Sequence, residues 1–205
     1  MTALAGFPLD PSLIPNPGDP GLAMSTFTVY PFSRGHVHIT GPSLEDPLDF
    51  DTGLLSDKHG IDLTMLIWTY KKQREVMRRM PCYRGEIATC HPPFDVNSPA
   101  ACISIEKPLE LPVDDIVYSE RDDVVLEDWI RGNVGSGWHS AGTCKMLKRE
   151  EGGVVDERLG VYGVGRLKIA DLSIVPRNVA ANTNNTALGI GERAADLFIE
   201  ELGRY

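Results

Sequence analysis

The sequence predicts a mixed α+β fold, with helices and short strands sharing one chain. Three observations carry this expectation. Apolar residues alternate between positions 26 and 40, the period of a half-buried strand. They recur at steps of three and four within 61–80, near 125–130 and within 186–202, the period of an amphipathic helix. Short apolar runs such as "ACISIE" and "RLKIAD" lie between turn residues, as strands do.

The elements follow in chain order. Residues 1–26 carry Pro8, Pro11, Pro15, Pro17 and Pro20; proline fixes φ and removes a donor, so an extended arm is expected there. In "TFTVYPFSRGHVHIT", Phe27 and Val29 oppose Thr28 and Tyr30, residues 31–35 break the run, and Val37 and Ile39 alternate with His36 and His38. The reading is a strand, a turn and a second strand with a polar histidine face. From Ile61 to Met80, Leu63, Ile67, Tyr70 and Met77 form one helical stripe, and Pro81 stops the helix. "SERD" places Ser119 as N-cap and Asp122 three residues on, a capping-box pattern that opens a helix bearing Val125, Leu126, Trp129 and Ile130. A last helix spans about 186–202, with Leu188, Ala195, Phe198 and Leu202 as its expected buried stripe and Gly203 at the C′ place. The expected organisation is an arm at 1–26 followed by two stretches, 27–137 and 138–205.

Composition excludes some partners. A formal charge of −9 argues against nucleic acid or an anionic membrane, since phosphate binding needs clustered Lys and Arg. The basic run "KKQREVMRR" spreads over several helix faces and reads as a solvated helix. Cys82, Cys90, Cys102 and Cys144 show no metal-ligand or C-x-x-C spacing, so neither a metal site nor a disulfide framework is expected. No apolar run approaches the ~20 residues needed to span a bilayer. Residues 1–25 lack a basic segment followed by an apolar run, so a secretory leader is not expected and an intracellular location is favoured.

Two stretches hold residues suited to chemistry. "GNVGSGWHSAGTCKM" sets His139 among glycines, which let a flat ligand or another backbone approach because no Cβ intervenes. A neutral imidazole can accept a proton near neutral pH, as a general base must. "NVAANTNNTALGIGERAADL" places Asn182, Thr183, Asn184 and Asn185 before a helix. One of them serves as N-cap, and four exceed what one helix start requires.

In this order and spacing, "GWHSAGTCKM" followed by "GVVDERLGVYGVGRLKIADLSIVPRNVAANTNNTALGIGERAADL" resembles the C-terminal signature of the glucose-methanol-choline (GMC) flavin oxidoreductases. "YPFSRGHVHITG" looks like the family's entry into its substrate-binding sheet. "FDTGLLSD", "WTYKKQREVMRRM" and "RGEIATCHPPF" look most like its alcohol (methanol) oxidase branch. The resemblance covers about residues 27–203 and weakens between about 96 and 117. It implies a substrate-binding domain at 27–137, with an antiparallel sheet and helices on one face, and at 138–205 the catalytic histidine loop and a returning segment, whose strand and helix complete an FAD-binding domain in an α/β setting. It also implies FAD as cofactor and a small alcohol as substrate, with His139 as the base that takes the alcohol proton and Asn182 as its partner. Asp171 and Leu172 match a stretch whose backbone approaches the FAD pyrophosphate and ribityl chain. Thr183 matches a residue near the flavin pyrimidine edge, where a helix N-terminus would favour negative charge.

One departure from the family pattern matters. The G-x-G-x-x-G turn that receives the FAD pyrophosphate is not in this sequence; "GVGR" and "GIGER" lack its spacing. The N-terminal Rossmann half is therefore expected on another polypeptide or an upstream segment, with residues 1–26 as an internal linker. The same departure keeps open a second reading, a non-catalytic GMC remnant serving as an interaction module. The resemblance leaves room for a homo-oligomer and for a peroxisomal location, although the chain lacks a Ser-Lys-Leu ending.

Overall fold

The structure, a computed structural model, describes residues 2–4 and 21–203. The expected prolines at positions 8 to 20 lie outside these residues. The fold is α+β: strands β1 (Thr2–Leu4), β2 (Thr26–Thr28), β3 (His36–Ile39), β4 (Leu48–Asp51) and β5 (Gly135–Ser136), with helices α1 (Ile61–Arg78), α2 (Glu120–Asn133) and α3 (Asn184–Leu202). The chain divides into two compact units, one of residues 29–53 and 136–203, the other of 2–4, 21–28 and 54–135.

In the second of these units α1 and α2 share a core. Asp57 accepts from the backbone N–H groups of Ile61 and Asp62 at 2.7 and 3.2 Å, satisfying donors that the start of α1 leaves open. Ser119 and Asp122 form the expected capping box: the Asp122 N–H donates to Ser119 Oγ (3.2 Å) and the Ser119 N–H to Asp122 Oδ2 (2.8 Å). Leu63, Leu66 and Tyr70 of α1 pack with Leu126 and Ile130 of α2, Phe94 and Ala100. Strand β2 pairs antiparallel with β1, in a sheet ordered β2-β1-β5. "ACISIE" forms a single antiparallel bridge, Gly85 to Ser104, rather than a strand.

The basic run on α1 is not uniformly solvated. Arg74 is 2% exposed. Its Nε and Nη2 donate to the two oxygens of Glu86 at 2.7 and 2.9 Å, and its Nη1 to the Ala100 carbonyl (2.9 Å) and the Tyr118 hydroxyl (3.1 Å). The planar fork of arginine suits such a bidentate pair. A charge count cannot separate this residue from its solvated neighbours, because the partners lie 12 to 44 residues away.

In the other unit β3 and β4 form an antiparallel hairpin, with His36 opposite Asp51 and Ile39 opposite Leu48. The two strands read from residues 26–40 thus fall in different sheets. Gly35 closes the hairpin base: a Cβ there would lie 2.3 Å from the Asp51 carbonyl oxygen. His36 and His38 stack at 5.3 Å, as a shared strand face requires. The unit's core joins Val155, Leu159 and Ile174 to Ala194 and Leu197 of α3. "RLKIAD" contributes one bridge, Gly160 to Lys168, in place of the expected strand. The buried stripe of α3 also differs from expectation. Of the expected residues Phe198 packs against the core, beside Ile190 and the buried Ala194 and Leu197, while Leu188, Ala195 and Leu202 are exposed. The helix carries two apolar stripes on opposite sides, and heptad spacing selects the outer one.

Removing Arg74 leaves Glu86 buried without its partner. Arg74→Ala should therefore cost about 3–5 kcal/mol, read as a lower urea midpoint. Burial holds the imidazole of His91 below its ordinary pKa, with Nδ1 2.8 Å from the Tyr70 hydroxyl. The unfolded chain then takes up a proton near pH ~6.5 that the folded chain refuses. This part of the stability is complete above that pH and falls as pH drops below it. His91→Gln should flatten that slope in urea midpoints measured against pH.

Candidate active site

Three backbone hydrogen bonds fasten the segment after His139 to the turn at Leu172–Ile174. Gly142 N donates to Leu172 O (3.4 Å), Cys144 N to Ser173 O (2.9 Å) and Met146 N to Ile174 O (2.8 Å). Ile174 is buried in the unit's core, so the loop is tied to packed structure rather than left to wander. Gly142 has φ +87°, a conformation in which a side chain would be strained. On the other side of His139, the Trp138 N–H donates to Ser136 Oγ (3.0 Å). Trp138 itself has φ +56° and is largely exposed, a strained position of the kind often found at functional sites.

His139 is half-buried and held at three points. Thr183 Oγ1 lies 2.7 Å from Nδ1, Asn182 Nδ2 lies 3.3 Å from Nε2, and Asn178 Nδ2 donates to the His139 carbonyl at 3.3 Å. Asn182 Oδ1 accepts the Asn184 N–H at 3.0 Å, which turns the amide nitrogen toward the imidazole. Thr183 is the N-cap of α3, yet its side chain caps no helix N–H. Asn182 supplies that contact instead.

Asp171 and Leu172 stand elsewhere in the same unit. Asp171 is exposed, and its Oδ1 accepts the Ser173 N–H at 2.7 Å, shaping the turn. With Leu172, Ser140, Ala141, Ala170 and Ala187 it lines an open hollow of about 420 Å³. The structure therefore brings His139, Asn182 and Thr183 into direct contact. It places Asp171 and Leu172 on the hollow that begins at the residues following His139. The contacts from Asn178 and from the Thr183 hydroxyl escape sequence reading, because an Asn or Thr before a helix carries the same signal whether it caps or reaches out.

A family model of the GMC oxidoreductases, for the C-terminal part, matches residues 31–191. The chain belongs to the GMC oxidoreductase family. An alcohol oxidase of Pichia angusta is 39% identical over 246 aligned positions, covering 98% of this chain and 36% of the relative. Alcohol oxidase 1 of Komagataella phaffii is 37% identical, with the same coverage. An FAD-dependent oxidoreductase from Chaetomium thermophilum shares the fold with a TM-score of 0.64 at 24% identity, over 88% of this chain and 27% of that one. This GMC chain thus spans a little over a third of the length of the curated relatives it matches. The alignment also runs to 246 positions against a chain of 205 residues, so the relatives carry residues within the matched stretch that this chain lacks. Among the described residues, no helix is long and apolar enough to cross a membrane.

The Asp171 carboxylate gives a local test. Asp171→Ala should cost about 1 kcal/mol by removing the cap on the Leu172–Ile174 turn, measured by urea unfolding, while Asp171→Asn should retain most of it. Equal loss in both variants would mean that the charge itself, rather than the cap, is required.

Proposed function

We propose that this chain is the catalytic and substrate-binding portion of an FAD-dependent oxidoreductase acting on the CH–OH group of alcohols. The observation that carries the reading is the contact of Asn182 Nδ2 with His139 Nε2 at 3.3 Å, between the two residues that the family resemblance pairs for catalysis. The alcohol oxidases among the relatives support an alcohol as substrate.

The chain's own residues fit part of such a cofactor. An open hollow that begins at Ser140, the residue after His139, is lined by Ser140, Ala141, Thr143, Ala170, Ala187 and the turn residues Asp171, Leu172 and Ser173. Asp171 and Leu172 would hold the cofactor through that turn, and Thr183 stands at the start of α3, whose partial positive charge suits a group that becomes anionic. FAD held there would supply the acceptor for the hydride. His139 Nε2 would receive the hydroxyl proton as the carbon–hydrogen bond breaks with its electron pair and the carbonyl forms. Asn182 Nδ2, turned inward by its bond to Asn184, would give up its contact with Nε2 to the substrate hydroxyl, donate to the substrate oxygen and keep it in line. An N-terminal flavin-binding polypeptide or segment is the partner this scheme requires, and a peroxisomal setting is compatible with it.

The chain purified alone and with a co-expressed N-terminal flavin domain tests the proposal through its visible absorption. Bound flavin that bleaches on adding an alcohol is expected in the second preparation. His139→Ala should slow that bleaching by about 10²–10⁴-fold. Unchanged bleaching in the variant overturns the role of His139, and absence of flavin from both preparations overturns the enzyme in favour of a non-catalytic interaction module.

A further inference from the structure

We infer that the apolar face of the β3–β4 hairpin is the docking surface for the flavin-binding polypeptide that the proposed function requires. The inference rests on that reading for the partner's identity, while the surface stands on its own geometry. Val37 lies opposite Phe50 and Ile39 opposite Leu48, and alternation along a strand puts all four on one face. The other face carries His36, His38, Asp49 and Asp51, with His36 Nε2 3.2 Å from Asp49 Oδ1. A sheet of this pattern normally turns its apolar side to a core and its polar side to water, and two strands alone are barely stable without such cover. Here both sides are exposed; Ile39 is 82%, Phe50 65% and Leu48 62% exposed. Among the described residues, β3 and β4 pack chiefly on each other.

The hairpin is nevertheless a finished element. Thr40 Oγ1 donates to the Pro47 carbonyl (2.6 Å) and the Ser43 N–H to Asp46 Oδ2 (2.8 Å), which closes its loop. At its base the Gly53 N–H donates to Asp51 Oδ1 (2.7 Å). These bonds hold the strands without help from a core, so the apolar face is presented preformed. A contiguous apolar patch rimmed by polar residues marks an interaction site, and a preformed surface binds at a lower cost in ordering.

Two observations select the occupant. Residues 29–53 and 136–203 belong to one compact unit, so the hairpin shares its unit with His139 and with the hollow at Asp171 and Leu172. A polypeptide that brings flavin to this hollow must sit on that unit in any case. The match to the Pichia angusta alcohol oxidase takes in only 36% of that relative, leaving nearly two-thirds of such a protein to supply the cover. A second copy of this chain would cover the face but leave the hollow without its flavin partner.

The test uses the full 205-residue chain, co-expressed with a tagged probe: the portion of the Pichia angusta alcohol oxidase N-terminal to its match. Capture on the tag, followed by light scattering, should give a one-to-one complex. Ile39→Asp together with Phe50→Asp should weaken it at least about 30-fold, while His38→Ser, on the opposite face, should leave it unchanged. In the wild type, hydrogen exchange across residues 36–51 should slow in the complex, a readout that needs no substitution. Undiminished capture of the double variant, or unchanged exchange across 36–51, overturns the inference. So does the absence of a complex, or a homodimer of the chain alone that the double variant abolishes. A complex that depends on this face, but whose flavin fails to bleach with alcohol, supports the docking surface and overturns the proposed function alone.

Discussion

The candidate site depends on the parallel run of backbone hydrogen bonds between residues 142–146 and 172–174. Loops that carry function must be positioned by something rigid, and here the rigidity comes from Ile174, whose side chain lies in the core with Val155 and Leu197. One strand of this fastening continues back to His139; the other leads on through 178–183 to the residues that contact it. Both arms of the site thus spring from one packed junction. A shift of either segment would separate His139 from Asn182, since a hydrogen bond at 3.3 Å has little distance to lose before it no longer counts as one.

The α1–α2 unit solves a different problem. Its core holds a full charge pair, Arg74 and Glu86, together with the Tyr70 and Tyr118 hydroxyls. Taking charges out of water is expensive unless the geometry is good and the remaining donors are met. Arg74 satisfies this with two bonds to the carboxylate, one to a carbonyl and one to a phenol. The aromatic faces of Phe94 and Tyr118 lie beside its guanidinium at 5.4 and 5.9 Å. Such a network fixes the loop 84–118 against the helix by direction as well as by apolar burial.

How far the sequence discloses this depends on whether the signal is local. The capping box at Ser119 and Asp122 and the glycine stop at Gly203 are visible because donor and acceptor lie within one turn. The burial of Arg74 is not visible, because its partners come from a distant loop. The stripe on α3 fails for a subtler reason. Leu188, Ala195 and Leu202 repeat every seven residues and look like the inner face, while Ile190, Ala194 and Leu197 do the packing. When a helix is apolar on two sides, periodicity says that it is amphipathic in neither simple sense. Only the neighbours decide which side is in. Likewise "RLKIAD" has the composition of a strand, but a ladder needs a partner, and Gly160 offers it a single bridge.

His139 and Asn182 were legible as a pair only through the order and spacing of long motifs; composition alone would leave each as an ordinary loop residue. Their geometry adds a constraint that the motifs do not contain. If the imidazole were flipped about its long axis, carbon atoms would replace both nitrogens in front of Thr183 and Asn182. That would break two contacts at once and leave a buried hydroxyl without its bond. Rotating the Asn182 amide would likewise forfeit the Asn184 contact and turn an oxygen toward Nε2. The ring, the amide and the hydroxyl therefore hold one another in a single arrangement, and that arrangement leaves the lone pair of Nε2 as the acceptor. What the surrounding residues supply to His139 is orientation.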